Sequence, residues 1–191
     1  MKDFDTTLKK NKANYVPLNP VSFIRKTAST FPSKKSIIYN NRTYTWLETY
    51  SRCKRLASAL SSRGLDPGDT VGFLAMNTPE LYEAHFGVPM AGLILNAMNY
   101  RLDPKTLAFI IDHSETKLLV TDLEFLPAVE KAVAMSHESP EIIVIEDIEA
   151  GFKNTSKYEH YEELLSTGDP DYYEFMIQDE WDTISINYTS G

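Results

Sequence analysis

A chain of 191 residues is long enough for one sizeable domain, and its 42% hydrophobic and 24% charged content is that of a folded globular protein. A formal charge of -8 at pH 7 without a basic stripe argues against nucleic acid as a partner, because such binding needs clustered cations that release counterions. The one cysteine, Cys53, rules out an internal disulfide and suits a reducing compartment, and no apolar run approaches membrane-spanning length.

Residues 1–16 read as a charged leader without the apolar stretch of a signal peptide, and Lys9, Lys10 and Lys12 within it read as a solvated tail. Apolar Val21, Phe23, Ile24 and Ala28 predict a helix over 17–31 that Pro32 stops. Two short runs rich in Ile, Tyr and Thr, 36–39 and 42–44, flank Asn40-Asn41, a pair that accepts positive φ, and predict a β-hairpin. Thr45 with Glu48 forms a capping box. It opens a long amphipathic helix through Trp46, Leu47, Tyr50, Cys53, Leu56, Ala57 and Leu60, ended by Gly64.

The turn 65–69 precedes a continuous apolar run, 71–75, that suits a strand buried on both faces of a parallel sheet. Thr78 and Pro79 start the next helix, with Leu81, Tyr82, His85, Phe86 and Met90 as its predicted buried stripe, Pro89 bending its last turn and Gly92 ending it. A second strand follows at 93–95. Asp103-Pro104 repeats the cap-plus-proline start, with Leu107, Ile110 and Ile111 facing inward, and 117–121 is a third strand. Asp122 is read as the cap of a helix through Phe125, Val129 and Val133, and 141–145 as a fourth strand. Beyond a loop at 147–157, the pattern predicts a short helix at 158–165, a turn at 168–170 and a half-buried strand at 181–188. Strands alternating with helices predict an α/β fold: a doubly wound, mostly parallel sheet flanked by helices.

Few residues look chemical. Cys53 reads as a small buried hydrophobe, His85 as an ordinary helix residue, His113 as a helix-closing residue favoured by the dipole, and His137 and His160 as surface residues without metal-ligand spacing. Glu159, Glu162 and Glu163 read as a solvated acidic face, and Arg101 as structural. The C-terminal Tyr188-Thr189-Ser190-Gly191 stands apart, because a strand that runs into a Thr-Ser-Gly turn can bring hydroxyls and backbone N–H groups onto phosphate oxygens. It lacks the lysine of a P-loop.

The order of short segments carries more than any one of them: Tyr44-Thr45-Trp46, then Leu65-Asp66-Pro67-Gly68-Asp69-Thr70-Val71, Asn77-Thr78-Pro79-Glu80, Pro89-Met90-Ala91-Gly92, Asn99-Tyr100-Arg101-Leu102 and finally Tyr188 to Gly191. In this order the chain resembles the AMP-forming acyl-activating ligases, from about Pro20 to its end. The runs 85–92 and His113-Ser114-Glu115-Thr116-Lys117 are most similar to the plant-type branch for short-chain or aromatic acids. The resemblance implies that residues 17–191 are the N-terminal part of an adenylation domain, incomplete at the C-terminus and truncated at the start of its phosphate loop. It also implies a parent that forms an acyl-adenylate from ATP and a small carboxylic acid and then a thioester with coenzyme A, using Mg²⁺. Thr189, Ser190 and Gly191 match the opening of the ATP-phosphate loop; by the resemblance all other catalytic and metal-binding residues would lie further along. The chain alone is then expected to be inactive and to bind no cofactor. The alternative is a truncated, non-catalytic product that binds a full-length ligase subunit. A cytoplasmic location is the default, with a peroxisomal one if the parent carries the C-terminal signal.

Overall fold

The computed structural model describes residues 9, 11, 13–147, 151, 157–173, 177 and 179–189. The first helix, α1 (Pro20–Thr30), begins later than its apolar pattern suggests, because the Asn19 side chain accepts from the Ser22 backbone N–H at 2.9 Å and Pro20 occupies the first turn. The hairpin forms as predicted. Strands β1 (Lys35–Tyr39) and β2 (Arg42–Thr45) pair antiparallel, and Asn40 takes a φ of 49° at the turn. Helix α2 (Trp46–Ser61) opens on the complete capping box: Glu48 N–H donates to Thr45 Oγ1 at 3.2 Å, and Thr45 N–H donates to Glu48 Oε2 at 2.7 Å.

The α/β core follows: β3 (Thr70–Leu74), α3 (Pro79–Met90), β4 (Ile94–Ala97), α4 (Pro104–His113), β5 (Thr116–Asp122), α5 (Leu126–Met135), β6 (Glu141–Ile145), β7 (Glu159–His160), α6 (Tyr161–Thr167) and β8 (Ser185–Ile186). Among the described residues six strands form one sheet in the order β7-β6-β5-β3-β4-β8, with every pair parallel. Each residue of β3 is buried, as its unbroken apolar run required. Helices cover both faces. On one side α1, α2, α3 and α6 pack through Ile24, Leu56, Val88 and Leu164; on the other α4 and α5 pack through Leu107, Ile111, Val129 and Ala132. The chain steps from β3 to β4 on one side and later to β5 on the other. The strand order therefore reverses at β3/β5, where open α/β sheets form a crevice at their carboxyl ends.

Several sequence expectations need correction. Of the predicted stripe of helix α3 only Met90 is buried: His85 is exposed and Leu81, Tyr82 and Phe86 are only partly covered, while Glu80, Glu83, Ala84, Gly87 and Val88 are buried. The true face is used because Gly87 allows α2 to approach closely, with Leu56 and the Cys53 carbonyl against it, and because two cations neutralise the glutamates. Thr78 sits at the N-cap position of α3, yet its hydroxyl makes no capping bond and is buried without a partner. Asp122 caps nothing. It ends β5, and its Oδ2 accepts from the Met76 backbone N–H across the sheet at 2.6 Å, while Phe125 occupies the N-cap of α5. The segment predicted as one helix from 158 is split into β7 and α6, because 159–160 extend to pair with β6. Of the long strand predicted at 181–188, only Ser185 and Ile186 join the sheet, and Trp181 is almost fully exposed. Most of the loop expected at 147–157, together with Lys10 and Lys12, lies outside the described residues.

Candidate functional site

Parallel pairing fixes where Thr189 lies. Leu95 pairs with Ser185 and Asn96 with Ile186, and the Leu95 N–H donates to the Ile184 carbonyl at 3.0 Å, so the chain leaves β8 at the carboxyl edge of the sheet. Tyr188 packs half-buried against the α4/α5 core, and Thr189 follows it, exposed. Ser190 and Gly191 lie outside the described residues. Thr189 thus lies beyond the carboxyl end of β8.

The same edge carries a buried polar cluster where the hairpin meets the sheet. Arg42 of β2 donates to Glu80 Oε1 at 2.5 Å, and the Tyr39 hydroxyl donates to Asp147 Oδ2 at 2.5 Å. Burial pushes the Asp122 carboxyl up to about 7, against the pull of the Met76 N–H, and nearby Glu80 and Asp147 add to the rise. Its hydrogen bond to Asp147, with burial, raises the Tyr39 hydroxyl to about 12. Arg42 Nε, Thr78 Oγ1 and Asp122 Oδ1 are buried polar atoms without protein partners. The cluster offers charge and hydrogen bonds. Nothing in the sequence spacing revealed it, since Arg42 and Glu80 belong to elements that meet only in the folded chain.

A second network lies between α2, α3 and α6. Arg52 Nε donates to fully buried Glu83 Oε1 at 2.5 Å and Arg52 Nη2 to Glu162 Oε1 at 2.5 Å, while the Tyr161 hydroxyl donates to Glu83 Oε2 at 3.0 Å. Burial raises the Glu83 carboxyl, and Arg52 opposes the rise. The three glutamates read as solvated are all engaged: Glu162 with Arg52, Glu159 with Arg63, and Glu163 with the His160 backbone N–H at 3.2 Å. His160 itself pairs with Glu146 at 3.1 Å. Burial raises the Cys53 thiol well above its ordinary value, which makes it inert. Exposed His85 has its Nδ1 2.8 Å from the Leu81 carbonyl of its own helix, and the exposed Arg101 stacks over Tyr100. Among the described residues no group of three or more His, Cys, Asp or Glu could hold a metal, and no helix is long and apolar enough to cross a membrane.

The parallel sheet, with helices on both faces and a strand order that reverses at β3/β5, is a doubly wound α/β fold. The profile of the AMP-binding enzyme family matches residues 24–191, and the chain belongs to that family. It is 41% identical to a peroxisomal acetate/butyrate–CoA ligase of Arabidopsis thaliana, over 96% of this chain and 34% of that protein. It is also 41% identical to a peroxisomal trans-cinnamate:CoA ligase of Petunia hybrida, over 96% of this chain and 35% of that protein. The fold matches the crystal structure of the anthranilate–CoA ligase AuaEII in complex with anthranoyl-AMP at a TM-score of 0.83 and 22% identity, over 95% of this chain and 34% of the other. The chain therefore spans about a third of the length of the curated relatives it matches.

Proposed function

We propose that this chain is the N-terminal portion of an ATP-dependent carboxylate–CoA ligase of the plant acyl-activating type and is inactive by itself. The carrying observation is the family match from residue 24 to residue 191, together with the exit of the chain from β8 toward Thr189 at the carboxyl edge of the sheet. Thr189, Ser190 and Gly191 open the loop that holds the ATP phosphates. The exposed Thr189 hydroxyl and the backbone N–H groups of this stretch are the neutral donors that triphosphate oxygens require. In the complete protein the acid's carboxylate would displace pyrophosphate from Mg²⁺-bound ATP to give the acyl-adenylate, and the thiol of coenzyme A would then displace AMP to give the thioester. The Arabidopsis and Petunia relatives named above point to a short-chain or aromatic acid. Both are peroxisomal, which supports the same address for the complete protein over the cytoplasm.

The test is acid-dependent exchange of pyrophosphate into ATP by the complete protein and by this chain, with acetate, butyrate and cinnamate as acids. Exchange by the complete protein with one of these acids, and none by the chain, is the expected result. Exchange by the chain alone refutes its inactivity; no exchange by the complete protein with any acid refutes the ligase reading.

A further inference from the structure

The run His113-Ser114-Glu115-Thr116 closes α4 and opens β5, and the phosphate-loop reading gives it no task. In the fold it lies against the last described residues of the chain. Nδ1 of His113 is 2.7 Å from the Tyr188 hydroxyl, and the two rings meet edge to face with centroids 5.7 Å apart. Phe109, one turn earlier on α4, stacks on the same imidazole at 5.5 Å. Glu115 takes a φ of 50°, and the turn it makes leaves Ser114 and Thr116 buried on either side of it.

Those two hydroxyls continue the contact into the sheet. Ser114 Oγ lies 2.7 Å from Thr116 Oγ1, donates to the Ile110 carbonyl at 2.7 Å and accepts from Asn96 Nδ2 at 3.1 Å. Asn96 is the β4 residue opposite Ile186 of β8. Ser114, the neighbour of His113 in sequence, therefore links the β4–β8 ladder to the turn that bears the histidine, and it is also a hydrogen-bond partner of Tyr188. The ladder holds only two paired residues, and Tyr188 adds side-chain contacts beyond it, its ring against the α4/α5 core and its hydroxyl at His113. His113 is exposed, and packing alone would not demand an imidazole there.

We propose that His113 is a positioning residue: through Tyr188 it sets the direction in which the chain leaves β8 and so where Thr189 presents its donors to the nucleotide phosphates. Ser114, Thr116 and Asn96 support it from behind. The inference rests on the phosphate-loop reading of residues 189–191.

Pyrophosphate–ATP exchange by the complete protein is measured for wild type, H113A, H113N, Y188F and the H113A/Y188F pair. H113A and Y188F should each raise KM for ATP about three- to tenfold, the scale of one neutral hydrogen bond, and leave KM for the acid unchanged. H113N, which places a carbonyl oxygen near the position of Nδ1, should recover most of the loss, and the double variant should be no worse than either single one. Unchanged KM for ATP, equal losses for ATP and acid, or additive losses in the double variant overturn the proposal. In the 191-residue chain, amide exchange at Leu95 should quicken by a similar factor in H113A and Y188F and recover in H113N. Unchanged exchange at Leu95 overturns the proposal whether or not ligase activity is found. Absence of activity in the wild-type complete protein refutes only the ligase reading.

Discussion

Replacing Asp122 by Asn should change how stability depends on pH. Asp122 is 4% exposed, makes one hydrogen bond through Oδ2, leaves Oδ1 unpaired, and has its carboxyl pushed from 3.8 to about 7 chiefly by burial. A carboxyl raised on folding binds its proton more tightly in the native state, so stability must fall as pH rises from about 4 to about 7 and stay level above that. A gap of about three pH units corresponds to ~4 kcal/mol, an upper value for a group whose surroundings can relax. Asn keeps an oxygen for the Met76 N–H and carries no charge. Asp122→Asn should therefore match wild type near pH 4 and exceed it by roughly 1–3 kcal/mol above pH 7. Urea unfolding followed by far-ultraviolet dichroism at pH 4, 5.5, 7 and 8 reads this directly. Glu83 is also raised and contributes the same sign in both proteins, so the difference between the two curves isolates Asp122. A difference that is flat with pH would show that Asp122 is not held in the state described.

Thr45→Ala removes the hydroxyl that accepts from Glu48 N–H, and thermal unfolding should show a loss of about 1 kcal/mol. Gly87→Ala would place a Cβ 2.7 Å from Leu56 Cδ2 and 3.0 Å from the Cys53 carbonyl oxygen, so α2 and α3 must part; denaturant titration should register a cost of roughly 1–3 kcal/mol. Arg52→Met leaves Glu83 buried opposite an apolar side chain and should cost about 3–5 kcal/mol at pH 8, with much of the loss recovered by adding Glu83→Gln. Equal losses in the single and double variants, measured by urea midpoint, would show that the cost is packing and not charge.

Local signals were legible where the physics is local. The Thr45–Glu48 box, the Asn40 turn, the Asp103-Pro104 helix start and the fully apolar β3 run each depend on residues a few positions apart, and each appears in the fold. The face of α3 was not legible, because periodicity counts Leu81, Tyr82 and Phe86 as core and the two glutamates as surface. Glu80 and Glu83 are buried only because Arg42 and Arg52, 38 and 31 residues earlier, neutralise them. Leu81, Tyr82 and Phe86 instead line a groove of about 590 Å³ with Ile37 and Ile38 of the hairpin. Asp122 misled for the same reason: as a cap it would act on the next residues, but it bonds to Met76, 46 positions back. Of the candidate site, Thr189 was proposed through the order of motifs, whereas the contact between His113 and Tyr188 needed the fold, since 75 residues separate them.

The pairing of β8 with β4 also sets an order of assembly on the ribosome. The strands β3 to β6 find their neighbours within successive βαβ units, but Leu95 must wait for Ser185, 90 positions later. At ordinary rates of synthesis that delay is on the order of ten seconds. During this time the backbone of β4 has one edge open. The nascent chain is most vulnerable to wrong pairing in that interval, and the segment that ends the hazard is the one that carries Thr189.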